Sequence, residues 1–179
     1  MSPKRYSSEE ARTIMARLGG YSFDALGPLF KEGKTPFFEE IEGNTAGSFL
    51  AWNPKASWWM KLLTGIAFDN SFARWTGKRF ITPFDEEKKG KGVNLYQNRI
   101  LPCRYQFNTC FQKALLDDNS CLALHYARFP SPMSGTLDEL RRIEEGVFLG
   151  QAHHKFPGGK EHSFLVYFVL CALTQSPSL

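Results

Sequence analysis

A chain of 179 residues is long enough for one domain, and a domain of this size buries roughly two thirds of the surface that its unfolded chain exposes. Its 22 basic and 18 acidic residues, a net charge of +4, are scattered rather than arranged in a stripe, so nucleic acid is not an expected partner. No phosphate-binding loop, dinucleotide fingerprint or nucleophile elbow occurs, which argues against an enzyme that uses ATP or NAD, and no cofactor is predicted.

The N-terminal segment carries helical signals. Ser7 and Glu10 stand at capping-box spacing, and Gly19-Gly20 would end the helix that they start. A second apolar segment covers 21–36, where Gly27-Pro28 limits it to a helical turn. We expect residues 1–36 to form a helical cap on the domain. Packing against the outside of the core is favoured over a movable lid, because amphipathic helices usually just pack.

The cysteines and the termini predict a compartment. Four cysteines lie in separate segments without a C-x-x-C pair or metal-finger spacing, so free thiols are expected and no metal site is predicted. The first ten residues lack the apolar core of a signal peptide, and the apolar run 164–173 is too short to span a bilayer. These features predict a cytosolic, reducing location.

An apolar insertion follows the first predicted strand, which covers 37–52. Asn53-Pro54 supplies an N-cap and a proline at the first helical position, which predicts a helical insertion over 54–70. Its face of Trp and Leu residues is too apolar for a solvated helix. Membrane contact through 58–68 is possible, but burial as a cover over the barrel mouth is favoured, because only Lys55 and Lys61 supply cationic charge there.

Strand signals recur after Phe72 at the spacing of an antiparallel all-β domain. The predicted strands are 74–83, 93–101, 104–113 and 120–129, followed by a closing hairpin of 147–156 and 164–173. The segment 137–142 is interpreted as a charged stretch before that hairpin. The second hairpin strand is apolar on both faces, so both faces must be covered. The chain is therefore predicted to be one mainly β domain over 1–179, with an antiparallel β-barrel over 37–175. The oligomeric state is not indicated.

Short motifs add a family resemblance. Trp75-Thr76-Gly77-Lys78-Arg79-Phe80, with 138–142 and Gly146-Val147-Phe148-Leu149-Gly150 downstream, resembles the little-characterised proteins named for a GXWXG motif. Their first motif corresponds here to Gly43-Asn44-Thr45-Ala46-Gly47, with Thr45 in place of the tryptophan. The resemblance implies a small calycin-like barrel, similar in outline to lipocalins and fatty-acid-binding proteins, and it carries no established activity.

Alternating side chains of such a barrel face an interior that can hold one small ligand. On the strand 104–113, Arg104, Gln106 and Asn108 share one face, and an outward polar face is favoured; an inward Arg104 would instead clamp an anionic headgroup. Lys78 and Arg79 face opposite sides of their strand, so only one of them can share a cavity with the Trp75 ring. The candidate ligand-binding residues are Trp75, Arg79, Arg104, Tyr105, Phe107, Tyr126, Arg141 and Tyr167.

The pair His153-His154 is the strongest candidate for a catalytic or ligating role, although a solvent-facing position near a hairpin tip is favoured for these residues. Neighbours on a strand point to opposite faces, so the two cannot chelate one metal. One of them could face the interior as a general base, or as an axial ligand to haem.

The leading functional hypothesis is therefore a protein that binds a hydrophobic small molecule, lipid-like or polyketide-like, inside the barrel. The alternative is a cofactor-independent isomerase or cyclase that uses the same pocket with His153 or His154 and an arginine or tyrosine. Haem binding is the third hypothesis.

Overall fold

The chain forms an antiparallel β-barrel. A computed structural model describes residues 2–56, 69–70, 73–81, 90–97, 103–126, 133–156 and 158–174. In chain order the strands are β1 Gly43–Trp52, β2 Asp69–Asn70, β3 Ala73–Ile81, β4 Gly90–Gln97, β5 Cys103–Lys113, β6 Ser120–Tyr126, β7 Thr136–Glu144, β8 Val147–His154 and β9 Ser163–Ala172. The predicted fold class, a mainly β antiparallel barrel with N-terminal helices, is confirmed. Residues 57–68, which make up most of the predicted helical insertion, lie outside the described residues.

Eight strands close the barrel. From β3 to β9 each strand pairs with the next in the chain, and β1 pairs with both β9 and β3. At the β1–β3 junction the two backbones come very close: a methyl group on Gly47 would lie 2.6 Å from the Trp75 ring, and one on Gly77 would collide with the carbonyl oxygen of Thr45. Gly77 also has a φ of +144°, a conformation that favours glycine. Glycine at these two positions therefore permits closure.

Strand β7 was not predicted. The charged stretch 137–142 pairs with β6 on one side and with β8 on the other. Side chains on both faces of β7 are buried, because the barrel interior covers one face and protein packed on the outer wall covers the other. Three of its charged residues, Asp138, Glu139 and Arg141, are therefore buried too, and they find partners inside the protein.

Two helices pack on the outer wall of the barrel. Helix α1, Ser8–Gly19, begins with the predicted capping box between Ser7 and Glu10 and packs on β1 and β9. Helix α2, Phe23–Glu32, is capped by Ser22 and packs on β7, β8 and β1. The favoured expectation of packing on the outside agrees with these contacts. The second segment is not limited to a helical turn, because the helix of 10 residues continues through Gly27-Pro28. None of the helices in the described part of the chain has the length and apolar character needed to cross a bilayer.

A third helix covers one end of the barrel. Helix α3, Phe38–Ile41, precedes β1, so the first strand begins at Gly43 and not at residue 37. Phe38 and Ile41 belong to the interior cluster, and the Phe38 ring lies 6.3 Å from that of Phe80. We call this the α3 end, and the opposite end, where β1 finishes at Trp52, the Trp52 end.

Candidate functional site

A buried cation lies in the barrel interior, toward the Trp52 end. Lys78 points inward from β3 and is 2% exposed. Its Nζ donates hydrogen bonds to Asn94 Oδ1 at 2.8 Å, to Asp138 Oδ2 at 2.8 Å and to the hydroxyl of Tyr126. All three N–H donors of the ammonium group therefore have an acceptor.

The acceptors also bond to one another. The Tyr126 hydroxyl donates to Asp138 Oδ2 at 2.9 Å and accepts from Asn94 Nδ2 at 3.1 Å. Trp75 Nε1 donates to Asn94 Oδ1 at 3.1 Å. We call these five side chains, Trp75, Lys78, Asn94, Tyr126 and Asp138, the Lys78 network. They come from β3, β4, β6 and β7, and each of them is at most 6% exposed.

Aromatic rings surround the ammonium group. Lys78 Nζ lies 5.2–5.5 Å from the ring centroids of Trp75, Phe107, Tyr126 and Phe168. Each ring presents the negative part of its quadrupole to a cation on its face, and desolvation strengthens that attraction. One carboxylate and four rings therefore offset part of the cost of burying this positive charge.

The environment shifts the acid–base properties of two groups. Burial lowers the pKa of Lys78 from its ordinary value, and the nearby Asp138 carboxylate only partly opposes that effect. Burial, reinforced by the Asp138 charge, raises the pKa of the Tyr126 phenol well above its ordinary value. The neutral amine form of Lys78 is therefore easier to reach than in an exposed lysine, while the phenol of Tyr126 keeps its proton.

A β-bulge decides which cation faces inward. The register between β3 and β4 shifts between Trp75 and Gly77, so Lys78, rather than Arg79, returns to the face of Trp75. Arg79 is exposed, and its Nε donates to Asn44 Oδ1 at 2.6 Å. The prediction that Arg79 lines the interior is wrong for this reason.

Strand β5 places its aromatic residues as expected. Phe107 is buried in the interior, and Tyr105 is partly buried with its ring 6.0 Å from that of Tyr96. Tyr105 has a φ of +54° at a register shift, and its carbonyl oxygen lies 3.5 Å from Asn94 Nδ2. Gln106 and Asn108 are exposed, which agrees with the favoured outward polar face. The side chain of Arg104 lies outside the described part of the protein.

Two other candidates belong to the outer wall. Arg141 is fully buried beneath α2 and donates to Asp117 and to the carbonyl oxygen of Phe30, with the Phe30 ring 4.6 Å away. Tyr167 packs 5.1 Å from the Phe23 ring, also beneath α2. Neither side chain reaches the interior, because odd-numbered residues of β7 and of the middle of β9 face outward. The prediction that Arg141 and Tyr167 contact an interior ligand is wrong.

The two histidines face opposite sides of β8, as strand alternation requires. His153 faces the outer wall, where it is buried with its Nε2 3.3 Å from Glu139 Oε2. His154 shares the face of the interior residues Phe148 and Ala152 and contacts the hydroxyl of Thr136 through Nδ1 at 3.0 Å. Burial lowers the pKa of His154. The expectation of two solvent-facing histidines is wrong for His153, and a role of His153 in the interior is ruled out by its position.

Partly exposed apolar side chains lead from the Trp52 end to the network. Phe49 and Ala152 pack against the interior cluster without being fully buried, as Tyr105 does. The Phe49 ring lies 4.9 Å from that of Trp75 and 5.9 Å from that of Trp52. At the α3 end, by contrast, the interior residues Phe80, Leu122 and Leu170 are at most 1% exposed. The accessible part of the interior is therefore apolar, and it borders Trp75.

Metal-ligating side chains do not gather in the described ranges, where no three His, Cys, Asp or Glu residues are placed to hold an ion. Asn94 and Asp138 were missed, and Lys78 was left as the alternative to Arg79 beside Trp75 and was not among the predicted ligand-binding residues. Their signal in the sequence is weak, because each looks like an ordinary surface residue of a strand or a charged stretch.

Comparison with known proteins supports the fold and nothing finer. No family model matches the chain, and no curated protein matches it. A solved structure described as a protein from Thermomonospora curvata is similar over 93% of this chain and 97% of that chain, with a TM-score of 0.52 and 15% identity. At that identity the similarity shows a shared fold only.

Proposed function

We propose that the barrel binds a small, predominantly apolar molecule that enters from the Trp52 end. The supporting observation is the contrast between the two ends: inward-facing Phe49 and Tyr105 stay partly exposed, whereas the interior at the α3 end is sealed by Phe38 and Ile41. Apolar surface with a few convergent polar groups at its base is the usual composition of a ligand site. Here the Lys78 network supplies the polar groups.

The ligand would lie on the rings of Phe49 and Tyr105, with its polar end toward Trp75. Binding would remove this apolar surface from water, at about 25 cal/mol for each Å². A lipid-like or polyketide-like molecule with one polar end fits that description. The resemblance to the GXWXG-motif proteins and the cytosolic location stay predictions, and the free thiols of Cys110, Cys121 and Cys171 are compatible with a reducing compartment.

Native mass spectrometry with organic extraction tests the proposal, together with titration of the apolar fluorophore 1-anilinonaphthalene-8-sulfonate. We expect Phe49→Ala to weaken fluorophore binding at least tenfold. Leu95→Ala, which truncates an outward-facing residue of the neighbouring wall, should leave binding unchanged. Unfolding curves of both variants confirm that the folded protein is measured. Equal binding by both variants, with no co-purifying molecule, would contradict the proposal.

A second candidate is a cofactor-independent isomerase or cyclase, favoured by the contact of an amine, a phenol and a carboxylate in an apolar site. Tyr126, Lys78 and Asp138 would then hold and move the proton, and the histidines would not. Proton transfer by a positioned side chain is worth roughly 100-fold to 10,000-fold in rate. Incubating extracted ligand with the wild type and with Tyr126→Phe distinguishes the two functions. An enzyme loses product formation and keeps ligand affinity, whereas a binding protein forms no product in either case.

A further inference from the structure

We propose that Lys78 is a reactive amine that condenses with an aldehyde or ketone group of the bound molecule to form an imine. This inference rests on the proposed function, because the carbonyl compound has to enter the barrel to reach Lys78. It narrows the ligand to apolar molecules with a carbonyl group at one end. It also assigns the Lys78 network a chemical task instead of a structural one.

The position of Lys78 distinguishes it from the other lysines. Of the lysines whose side chains the structure describes, Lys78 is the one that is buried, and the rest are exposed, Lys113 for example with 74% of its side chain in solvent. An exposed lysine is almost wholly protonated at neutral pH and therefore a poor nucleophile. Desolvation in an apolar site is an established way to activate a lysine for imine formation. The lowered pKa of Lys78 agrees with this position.

The network can lose two hydrogen bonds from Lys78 without leaving a partner unsatisfied. A protonated imine keeps one N–H, whereas the ammonium group has three. Asn94 Oδ1 would still accept from Trp75 Nε1, and the Tyr126 hydroxyl would still accept from Asn94 Nδ2 and donate to Asp138. Loss of a buried hydrogen bond is costly when it orphans a polar atom. In this site the remaining N–H can stay with Asp138, and the other acceptors keep their own donors.

The charges around Lys78 can stabilise a protonated imine as well as they stabilise the ammonium group. A protonated imine carries the same single positive charge as the ammonium group, so the Asp138 carboxylate remains its counterion. The charge of the protonated imine is spread over carbon and nitrogen, so the imine is less strongly hydrated than the ammonium group. The four surrounding rings, at 5.2–5.5 Å, can stabilise such a charge in the absence of water.

The proton that the reaction moves is passed from Lys78 to Asp138 and then to the departing water. Lys78 first gives one proton to Asp138, and the neutral amine then attacks the carbonyl carbon. The resulting carbinolamine has one new C–N bond and a hydroxyl group. Asp138 returns the proton to that hydroxyl, which leaves as water, and the protonated imine forms opposite the regenerated carboxylate. The net change is amine plus carbonyl compound to imine plus one water, and no oxidant or reductant is needed.

Reductive trapping tests the inference on the wild-type protein. Decanal is added at one equivalent at pH 7 with sodium cyanoborohydride, which reduces an imine to a stable secondary amine. Peptide mass spectrometry then locates the adduct, whose mass gain is that of decanal less one oxygen atom. We expect at least tenfold more adduct on Lys78 than on Lys113. Excess 1-decanol, which can enter the barrel but cannot form an imine, should protect Lys78 and leave Lys113 unaffected.

The outcomes separate this inference from the proposed function. If 1-decanol displaces the fluorophore but decanal modifies Lys78 no more than Lys113, the imine is refuted and the binding function stands. If neither compound displaces the fluorophore, the proposed function fails, and the imine fails with it. Lys78→Arg keeps the positive charge and cannot form an imine, so it should lose the adduct. The site mapping on wild type does not depend on the folding of that variant.

Discussion

Breaking the Lys78–Asp138 pair should destabilise the barrel more than removing both partners. The two side chains are 3% and 5% exposed, so the scale for buried pairs applies. Removing one partner of such a pair costs about 3–5 kcal/mol of the free energy of unfolding, because the other charge stays buried without a counterion. For a chain of this length each kcal/mol corresponds to about 2–4 °C in Tm, so Asp138→Leu should lower Tm by about 6–20 °C. Replacing both residues, in Lys78→Met/Asp138→Leu, should recover most of that loss.

The surface pair Lys113–Asp118 provides the matched control. Its atoms are 3.5 Å apart, and the side chains are 74% and 95% exposed. Exposed pairs contribute about 0–1 kcal/mol, so Asp118→Leu should change Tm little. Thermal and urea unfolding of the four proteins at pH 7 measure the difference.

The pH dependence gives a second measure of the same effect. A lysine whose pKa is lower in the folded than in the unfolded state makes the unfolded chain bind more protons. Stability therefore rises with pH between those two values. Without the opposing carboxylate the pKa of Lys78 falls further, so the deficit of Asp138→Leu should shrink as the pH is raised from 7 toward 10. The reasoning is refuted if Asp138→Leu costs no more than Asp118→Leu, or if the double variant is no more stable than the single one.

Three further predictions test other parts of the structure. Arg141→Met should cost about 3 kcal/mol in urea unfolding, because it removes the buried donor of several hydrogen bonds. Since the Arg141 guanidinium lowers the pKa of Asp117, that part of the stability is present above pH 4 and is lost as the pH falls further, so the gap to the wild type should narrow in acid. Gly77→Ala places a methyl group against the backbone of β1, so it should prevent closure of the barrel and yield insoluble or unfolded protein. Gly158 has a φ of +81° but open space around it, so Gly158→Ala should cost only about 1 kcal/mol of the free energy of unfolding, measured by thermal unfolding. Burial raises the pKa of the Cys121 thiol to about 12, so iodoacetamide at pH 8 should label it only after unfolding; labelling of the native protein at the rate of a free thiol would contradict its buried position.

The strands that the sequence predicts are those that carry its strongest β signals. Valine, phenylalanine and tyrosine mark 164–173 as a covered strand, and β9 occupies Ser163–Ala172. Strand β7 escaped prediction because alternation of apolar and polar residues assumes water on one face. In β7, Asp138 faces Lys78 inside the barrel while Arg141 lies under α2, so both faces contain charges. The burial of these charges is explained by their pairing with residues that are distant in the sequence.

The candidate site was predicted in part. Trp75, Phe107 and Tyr126 face the interior, as predicted from their character as large aromatic residues of strands. Regular alternation after Trp75 would place Arg79, not Lys78, on the face of the indole, and the bulge before Gly77 reverses that placement. A bulge of one residue leaves no reliable trace in a single sequence, yet it moves every later side chain to the other face.

The pairing of β1 has a consequence for how the chain is made. Its main neighbour is β9, with seven paired residues from Thr45 to Trp52, while only Gly43 and Asn44 pair with β3. During translation the strands from β3 to β8 can assemble hairpin by hairpin as they leave the ribosome, but β1 has only its short pairing with β3 until 163–172 have been synthesised. Throughout that interval β1 and β8 both lack β9, one of their two partner strands, and such edges readily join those of other nascent chains. The first strand to be translated is thus among the last to be secured, and a stalled ribosome leaves this protein most exposed to aggregation.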